Sequence, residues 1–187
     1  MKKQTLISAI IFCGALATSQ IASAQNDFNS ETPFEKGSVT FSAGFGIGNE
    51  YSSNYYNAAF GVKAVVEKGF WQAGPGVISL GGEMGGSFSN GGSLGNYKAN
   101  TIIVAARSAW HNGWQVKSLD TYAGLSAGLG FNQYKFYKDG YIKQSEVIPV
   151  FAGFIGASYF ITPTLGINVE IGNDITRIQG GIVLKIR

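Results

Sequence analysis

The sequence predicts an all-β fold, an eight-stranded antiparallel transmembrane β-barrel in up-and-down meander order. Three observations carry that prediction. Apolar side chains recur at every second residue in segment after segment, the intervening positions are mostly Gly, Ser, Ala and Thr, and only 13% of the 187 residues are charged although 45% are hydrophobic. A soluble domain carries about a quarter of its residues as charges. The rest of the composition excludes other classes. With 13 Phe, 9 Tyr, 3 Trp and only 4 Pro, the chain is too rich in core formers to be disordered. One cysteine cannot build a disulfide framework or a thiolate metal site, and 14 basic against 11 acidic residues do not make the basic footprint of a nucleic-acid binder.

The first segment is a leader. Lys2 and Lys3 precede an apolar stretch from Leu6 to Ala17, and Ala22-Ser23-Ala24 is a small-residue site followed by Gln25. This is the pattern of a secretory signal peptide cleaved between Ala24 and Gln25. The apolar stretch is short for a spanning helix, which needs about 20 residues. Cys13 is lost with the leader. Residues 25–36 then form a short polar lead-in, and 37–187 form the barrel.

Strand by strand, the alternation is regular. Val39, Phe41, Ala43, Phe45 and Ile47 alternate with Thr40, Ser42, Gly44 and Gly46. Phe60, Val62, Ala64 and Val66 alternate with Gly61, Lys63, Val65 and Glu67, and Ile78, Leu80, Met84 and Phe88 alternate with Ser79, Gly81, Glu83, Gly85 and Ser87. Ile102, Val104, Ala106 and Trp110 oppose Thr101, Ala105, Arg107 and His111. Leu119, Ala123, Leu125, Ala127, Leu129 and Phe131 oppose Asp120, Tyr122, Gly124, Ser126, Gly128, Gly130 and Asn132. The segment 147–160 is apolar on both faces, so its facing stays open; Pro149, Gly153 and Gly156 and its aromatic and β-branched content mark it as strand rather than helix. Leu165, Ile167, Val169 and Ile171 oppose Gly166, Asn168, Glu170 and Gly172, and Ile178, Ile182, Leu184 and Ile186 oppose Gln179, Val183, Lys185 and Arg187.

Periodicity alone does not say which face points inward. A soluble ligand-binding barrel buries its greasy set, whereas a membrane barrel turns that set to lipid. The second face decides it: a water-facing surface would carry many long charged chains, while Gly, Ser and Ala suit the narrow interior of eight strands. With both termini at the periplasmic end, the external connections are 49–57, 90–97, 135–146 and Asn173-Asp174, and the periplasmic ones are 69–76, 112–117 and Thr162-Pro163. Aromatic residues gather at the strand ends. Trp71, Trp110, Trp114, Tyr159 and Phe160 are expected at the periplasmic headgroup level, and Tyr51, Tyr55, Tyr56, Phe88, Tyr97, Phe131 and Tyr134 at the external one.

These residues carry a family resemblance. The stretches KANTIIVAARSAWH (98–111), LDTYAGLSAGLG (119–130) and FAGFIGASYFITPTLGINVE (151–170), with the ending GGIVLKIR, resemble the OmpA/OmpX-like small outer-membrane β-barrel proteins, the porin family in its Bacteroidetes form. The resemblance covers roughly 37–187. It implies an outer-membrane location, contact with outer-membrane lipid and lipopolysaccharide, and insertion by the barrel-assembly machinery. The chain departs from the pattern at Ser158, where a basic residue is common, and at Lys185-Ile186-Arg187, where an aromatic end is usual.

The candidate functional residues are the inward charges Lys63, Glu67, Glu83, Arg107, Glu170 and Lys185, together with Tyr122. Buried charges persist only when paired, so Arg107 is expected to engage Glu83 or Glu170 in a polar network that plugs the interior. A structural or surface-interaction protein follows; a narrow diffusion pore and a lipid A-modifying enzyme are the competing readings. His111, the single histidine, is the only base for such an enzyme. Ser108 lies three residues away on the opposite face, so His111 is expected to be an interfacial residue beside Trp110 and Trp114. No cofactor, metal or nucleic-acid partner is expected.

Overall fold

The computed structural model describes residues 32–48, 59–91, 97–136 and 142–187. Eight strands, β1 (Val39–Ile47), β2 (Ala59–Ala73), β3 (Gly76–Gly91), β4 (Tyr97–Asn112), β5 (Leu119–Phe136), β6 (Ile142–Phe160), β7 (Leu165–Gly172) and β8 (Ile178–Lys185), pair antiparallel in sequence order. β1 also pairs with β8, closing the barrel. Closure removes the free edges that an open sheet would expose. The strands β3 to β6 are longer than the alternation alone delimits, so the connections between them are shorter than expected.

Alternation translates directly into facing. Large apolar side chains stand exposed all round the outer wall, among them Phe45, Met84, Leu125, Phe151, Ile167 and Ile182, whereas Lys63, Glu67, Glu83, Arg107 and Glu170 are buried inside. The facing of β6 is now settled: Val147, Phe151, Ile155 and Tyr159 point outward, and Val150, Ala152, Phe154, Ser158 and Phe160 point inward. Small inward residues have a steric cause. A Cβ at Gly81 would collide with the carbonyl oxygen of Val66, and one at Gly156 would overlap the Tyr122 ring.

Two local irregularities shape the end where β1 begins and β8 finishes, here the terminal end. The β2–β3 ladder shifts register between Gly69 and Trp71, and this bulge turns both Phe70 and Trp71 outward. In the β4–β5 turn, Trp114 (φ 50°) and Gln115 (φ 65°) are both left-handed, and Val116 N donates to Gly113 O at 2.8 Å. Two consecutive positive φ values closed by such a bond are the pattern of a type I′ hairpin turn. Asn112 Oδ1 accepts from Trp114 N at 2.9 Å and supports it.

The opposite, distal end is uneven. β7 stops at Gly172, whose rung partner on β6 is Phe154, while β6 continues back to Ile142 and pairs with β5 throughout. Asn173 N donates to Gly153 O at 3.3 Å, and Gly153 N donates to Asn173 Oδ1 at 2.8 Å. Backbone direction alternates along a strand, so the N–H that Pro149 lacks belongs to this same β7-facing edge. A proline there removes a donor from an edge strand, a placement that limits unwanted pairing.

Candidate functional site

The interior is the chemically distinctive part of the molecule, and it is filled in three tiers. At the distal end the β7–β8 connection folds inward instead of outward: Asp174, Ile175 and Thr176 are all buried, Ile175 completely. Ile175 packs with Ile103, Ala105 and Val150, and with half-buried Ile148. Glycines at 46, 61 and 85 make room for it, since a Cβ at any of the three would run into Ile175 or Thr176.

The middle tier is ionic. Arg107 places its guanidinium among three carboxylates: Nε 3.2 Å from Glu67, Nη1 3.0 Å from Glu83 and Nη2 3.0 Å from Glu170. Lys63 pairs with Glu170 and Asp174 and lies 3.8 Å from Glu83. The fork of Arg107 also lies over the Phe154 ring, 3.8 Å from its centroid, and 5.9 Å from that of Tyr122. Such stacking lets a desolvated guanidinium recover interaction energy on its flat face while its edges serve the carboxylates.

The third tier closes the terminal end. His111 Nδ1 contacts both oxygens of Asp120 at 3.0 and 3.2 Å, and Nε2 lies 3.1 Å from Ser79 Oγ. Phe34 of the lead-in lies flat on the imidazole, with centroids 3.9 Å apart and planes 16° from parallel. Tyr122 completes the layer, 5.2 Å from His111 and edge-on to Phe154. The lead-in is anchored by Gly37 N donating to Gly69 O at 2.8 Å and Glu35 N donating to Ser38 Oγ at 3.0 Å.

Ser79, His111 and Asp120 have the connectivity of an acyl-transfer triad. Around that connectivity the serine also meets a carboxylate and is shut off from solvent. Besides the imidazole, the Ser79 hydroxyl has two acceptors in reach, Glu67 Oε1 at 3.0 Å and Ala109 O at 3.3 Å. Ser79 is completely buried, under Phe34 and His111. The trio therefore links Asp120 to Glu67 and so to Arg107, extending the ionic tier to the terminal end. Among the described residues, no group of His, Cys, Asp and Glu is arranged to hold a metal ion.

The sequence-derived residues divide as follows. Lys63, Glu67, Glu83, Arg107, Tyr122 and Glu170 come together inside, and Arg107 engages both of its expected partners. Lys185 does not join them: it is half-buried at the terminal rim, lining a cleft of about 380 Å³ with Glu35, Lys117, Ser118 and Thr162. Trp71, Trp114 and Tyr159 are exposed on the outer wall, and Trp110, half-buried, packs edge-on at 6.3 Å against Trp114. Phe160 is a correction, being inward and buried, because β6 parity gives it the same side as Phe154 and Ser158. His111 is another: it is buried inside the barrel, where the alternation itself places it, and not at the interface. The cleavage site Ala24-Gln25 and the aromatics Tyr51, Tyr55 and Tyr56 lie outside the described residues, while Tyr97 and Tyr134 fall on β4 and β5. Asp120 could have been found, since it shares parity with Tyr122. Asp174, Ile175 and Phe34 had no periodic signal, since they lie in connections.

With this geometry established, solved structures supply the comparison. The fold is that of small eight-stranded outer-membrane barrels. Ail, the attachment invasion locus protein of Yersinia pestis, is similar with a TM-score of 0.50 at 13% identity, covering 81% of this chain and 96% of Ail. Ail in a phospholipid bilayer nanodisc gives the same TM-score and identity over 81% of this chain and all of that one. The outer membrane protein OprG of Pseudomonas aeruginosa gives 0.53 at 10% identity, covering 82% and 98%. No protein-family profile and no curated protein matches the sequence.

Proposed function

We propose that the protein is an integral outer-membrane β-barrel, exported by its leader and inserted with the terminal end in the periplasm, whose interior is occluded and whose role is structural and surface-directed rather than catalytic or conductive. The observation that carries this reading is the inversion of the barrel: the outer wall is apolar, with Phe45, Leu125 and Phe151 more than 70% exposed, and the charges of its middle are inside. In water that arrangement would expose a large continuous apolar patch, whereas in lipid it is the stable one.

The distal end supports the surface role. β3 to β6 run on past β7 and β8, and among the described residues no strand pairs with β6 on its β7 side beyond Phe154. These projecting strands stand at the exterior in this reading, and the stretch of β6 edge among them, blunted against strand addition by Pro149, is part of the surface that a partner meets. Outer-membrane lipid and lipopolysaccharide surround the wall in this reading, and the barrel-assembly machinery inserts it. Membrane fractionation with a heat-dependent gel shift is the test: the protein is expected in the outer-membrane fraction, migrating faster unheated than boiled. Recovery in the detergent-free soluble fraction would overturn the reading. In planar bilayers the purified barrel is expected to show no steady conductance.

A further inference from the structure

The charges of the chain are segregated. Inside, among the described residues, five buried carboxylates (Glu67, Glu83, Asp120, Glu170 and Asp174) share the space with Lys63, Arg107 and the imidazole of His111. With the acids gathered there, the terminal rim is left basic: Lys36, Lys68, Lys117 and Arg187 are exposed and Lys185 half-buried, and Glu35 is the acidic residue among them in the described chain. These cations are neighbours in the fold. Lys68 is the rung partner of Val39, and Val39 N donates to the carbonyl oxygen of Arg187 at 2.8 Å. Lys185 pairs with Thr40, and Lys36 precedes Gly37, which is bonded to Gly69 beside Lys68. Lys117 sits in the β4–β5 turn with Trp114.

The same rim carries exposed rings. Phe70, Trp71, Trp114 and Tyr159 face outward there, and the Lys68 Nζ lies 5.3 Å from the Phe70 ring centroid. A collar of amphipathic rings marks the headgroup level of a membrane, and a lysine on the wall at that level lays its apolar stem along the rings and its ammonium among the headgroups. We propose that this collar is a binding surface for anionic phospholipid headgroups, which it enriches around the periplasmic end of the barrel. The proposal rests on the membrane reading above. It goes beyond that reading because apolar burial alone holds the barrel in any bilayer, whereas a basic collar distinguishes anionic from zwitterionic lipid. Each such cation favours an anionic surface by a factor of about five at low salt.

The chain reports on this surface by itself, because its 3 tryptophans are Trp71, Trp110 and Trp114, all at the collar. The protein is reconstituted in phosphatidylcholine vesicles containing an equal small fraction of either phosphatidylglycerol or phosphatidylcholine carrying a nitroxide at the headgroup level, and tryptophan quenching is read. The anionic quencher is expected to quench more at equal mole fraction. The excess is expected to shrink stepwise as cations are removed in Lys36→Gln, Lys68→Gln and Lys185→Gln, and to vanish for the unaltered protein when salt shortens the screening length to about 3 Å. The salt arm needs no variant, so misfolding of a variant leaves the test intact. Equal quenching by both lipids, with the protein inserted, overturns the collar proposal and leaves the membrane reading standing. Quenching by neither lipid, with the protein outside the vesicles, overturns the membrane reading itself.

Discussion

Asp174, in the β7–β8 connection at the distal end, ion-pairs with Lys63 in the middle of β2. This single contact ties a loop that could have faced the exterior to the ionic tier of the interior. It also holds Ile175 in its apolar niche. Replacing Asp174 by Ala should therefore do two things: destabilise the barrel by about 3–5 kcal/mol, the cost of breaking a buried pair, and release the loop. Urea unfolding followed by the gel shift measures the first, and protease cleavage at Arg177 in the folded barrel measures the second.

Arg107 hydrogen-bonds Glu83 and Glu170 through Nη1 and Nη2 and ion-pairs with Glu67 at Nε, so Lys replaces it only in part. Arg107→Ala leaves Glu67, Glu83 and Glu170 with reduced compensation and is expected to cost at least about 3–5 kcal/mol. Arg107→Lys should recover less than half of that. A lysine variant as stable as the original in urea would show that the planar fork is dispensable.

Glycines on the two faces of the wall should respond oppositely. At Gly81 and Gly156 a methyl group meets backbone or the Tyr122 ring, so Ala is expected to cost about 1–3 kcal/mol. At outward Gly82 and Gly153 the nearest atom to an added Cβ is 3.7 Å away. Ala at these two positions should be neutral or stabilising by up to about 1 kcal/mol, because it restricts the unfolded chain. Unfolding midpoints of the four variants make the comparison.

The two ends of the interior are closed by Phe34 and Ile175. Shortening either one to Ala should leave the other closure intact, whereas the double variant Phe34→Ala/Ile175→Ala should open both. Planar-bilayer recordings are expected to stay silent for the single variants and for the double one, because the ionic tier around Arg107 still fills the middle, and to show brief steps when Arg107→Ala is added to the double variant. Ile175→Ala should also destabilise by about 2–5 kcal/mol, as a fully buried truncation does.

Gln115 holds a φ of 65°, a conformation that costs a side-chain-bearing residue roughly 1–2 kcal/mol. Gln115→Gly relieves that cost but loosens the unfolded chain, so a net stabilisation of about 0.5 kcal/mol is expected. A lowered unfolding midpoint would count against left-handed strain at this turn.

What the sequence determined by itself is the wall. Strict period-two alternation assigns a face to nearly every strand residue, because a strand has only two, and the small, weakly charged composition of one face says which is inside. That reasoning places Lys63, Glu67, Glu83, Arg107, Tyr122 and Glu170 in one interior, and it places His111 and Asp120 there too when applied without exception. It leaves 147–160 open, where both faces are apolar, and the rim position expected of Phe160 as a strand-end aromatic gives way to an inward, buried ring. Tertiary structure alone decided the contents of the two mouths. Phe34 and Ile175 lie outside the strands, where no periodicity constrains a side chain; Ile175 depends on space left by Gly61 and Gly85, far away in sequence, and Phe34 on the His111 ring against which it stacks. Partner choice inside was likewise a matter of three dimensions: Lys63 finds Asp174 across the closure of the barrel, Arg107 finds Glu67 across the intervening β3, and alternation reports which side a residue faces but not how far around the ring its partner stands.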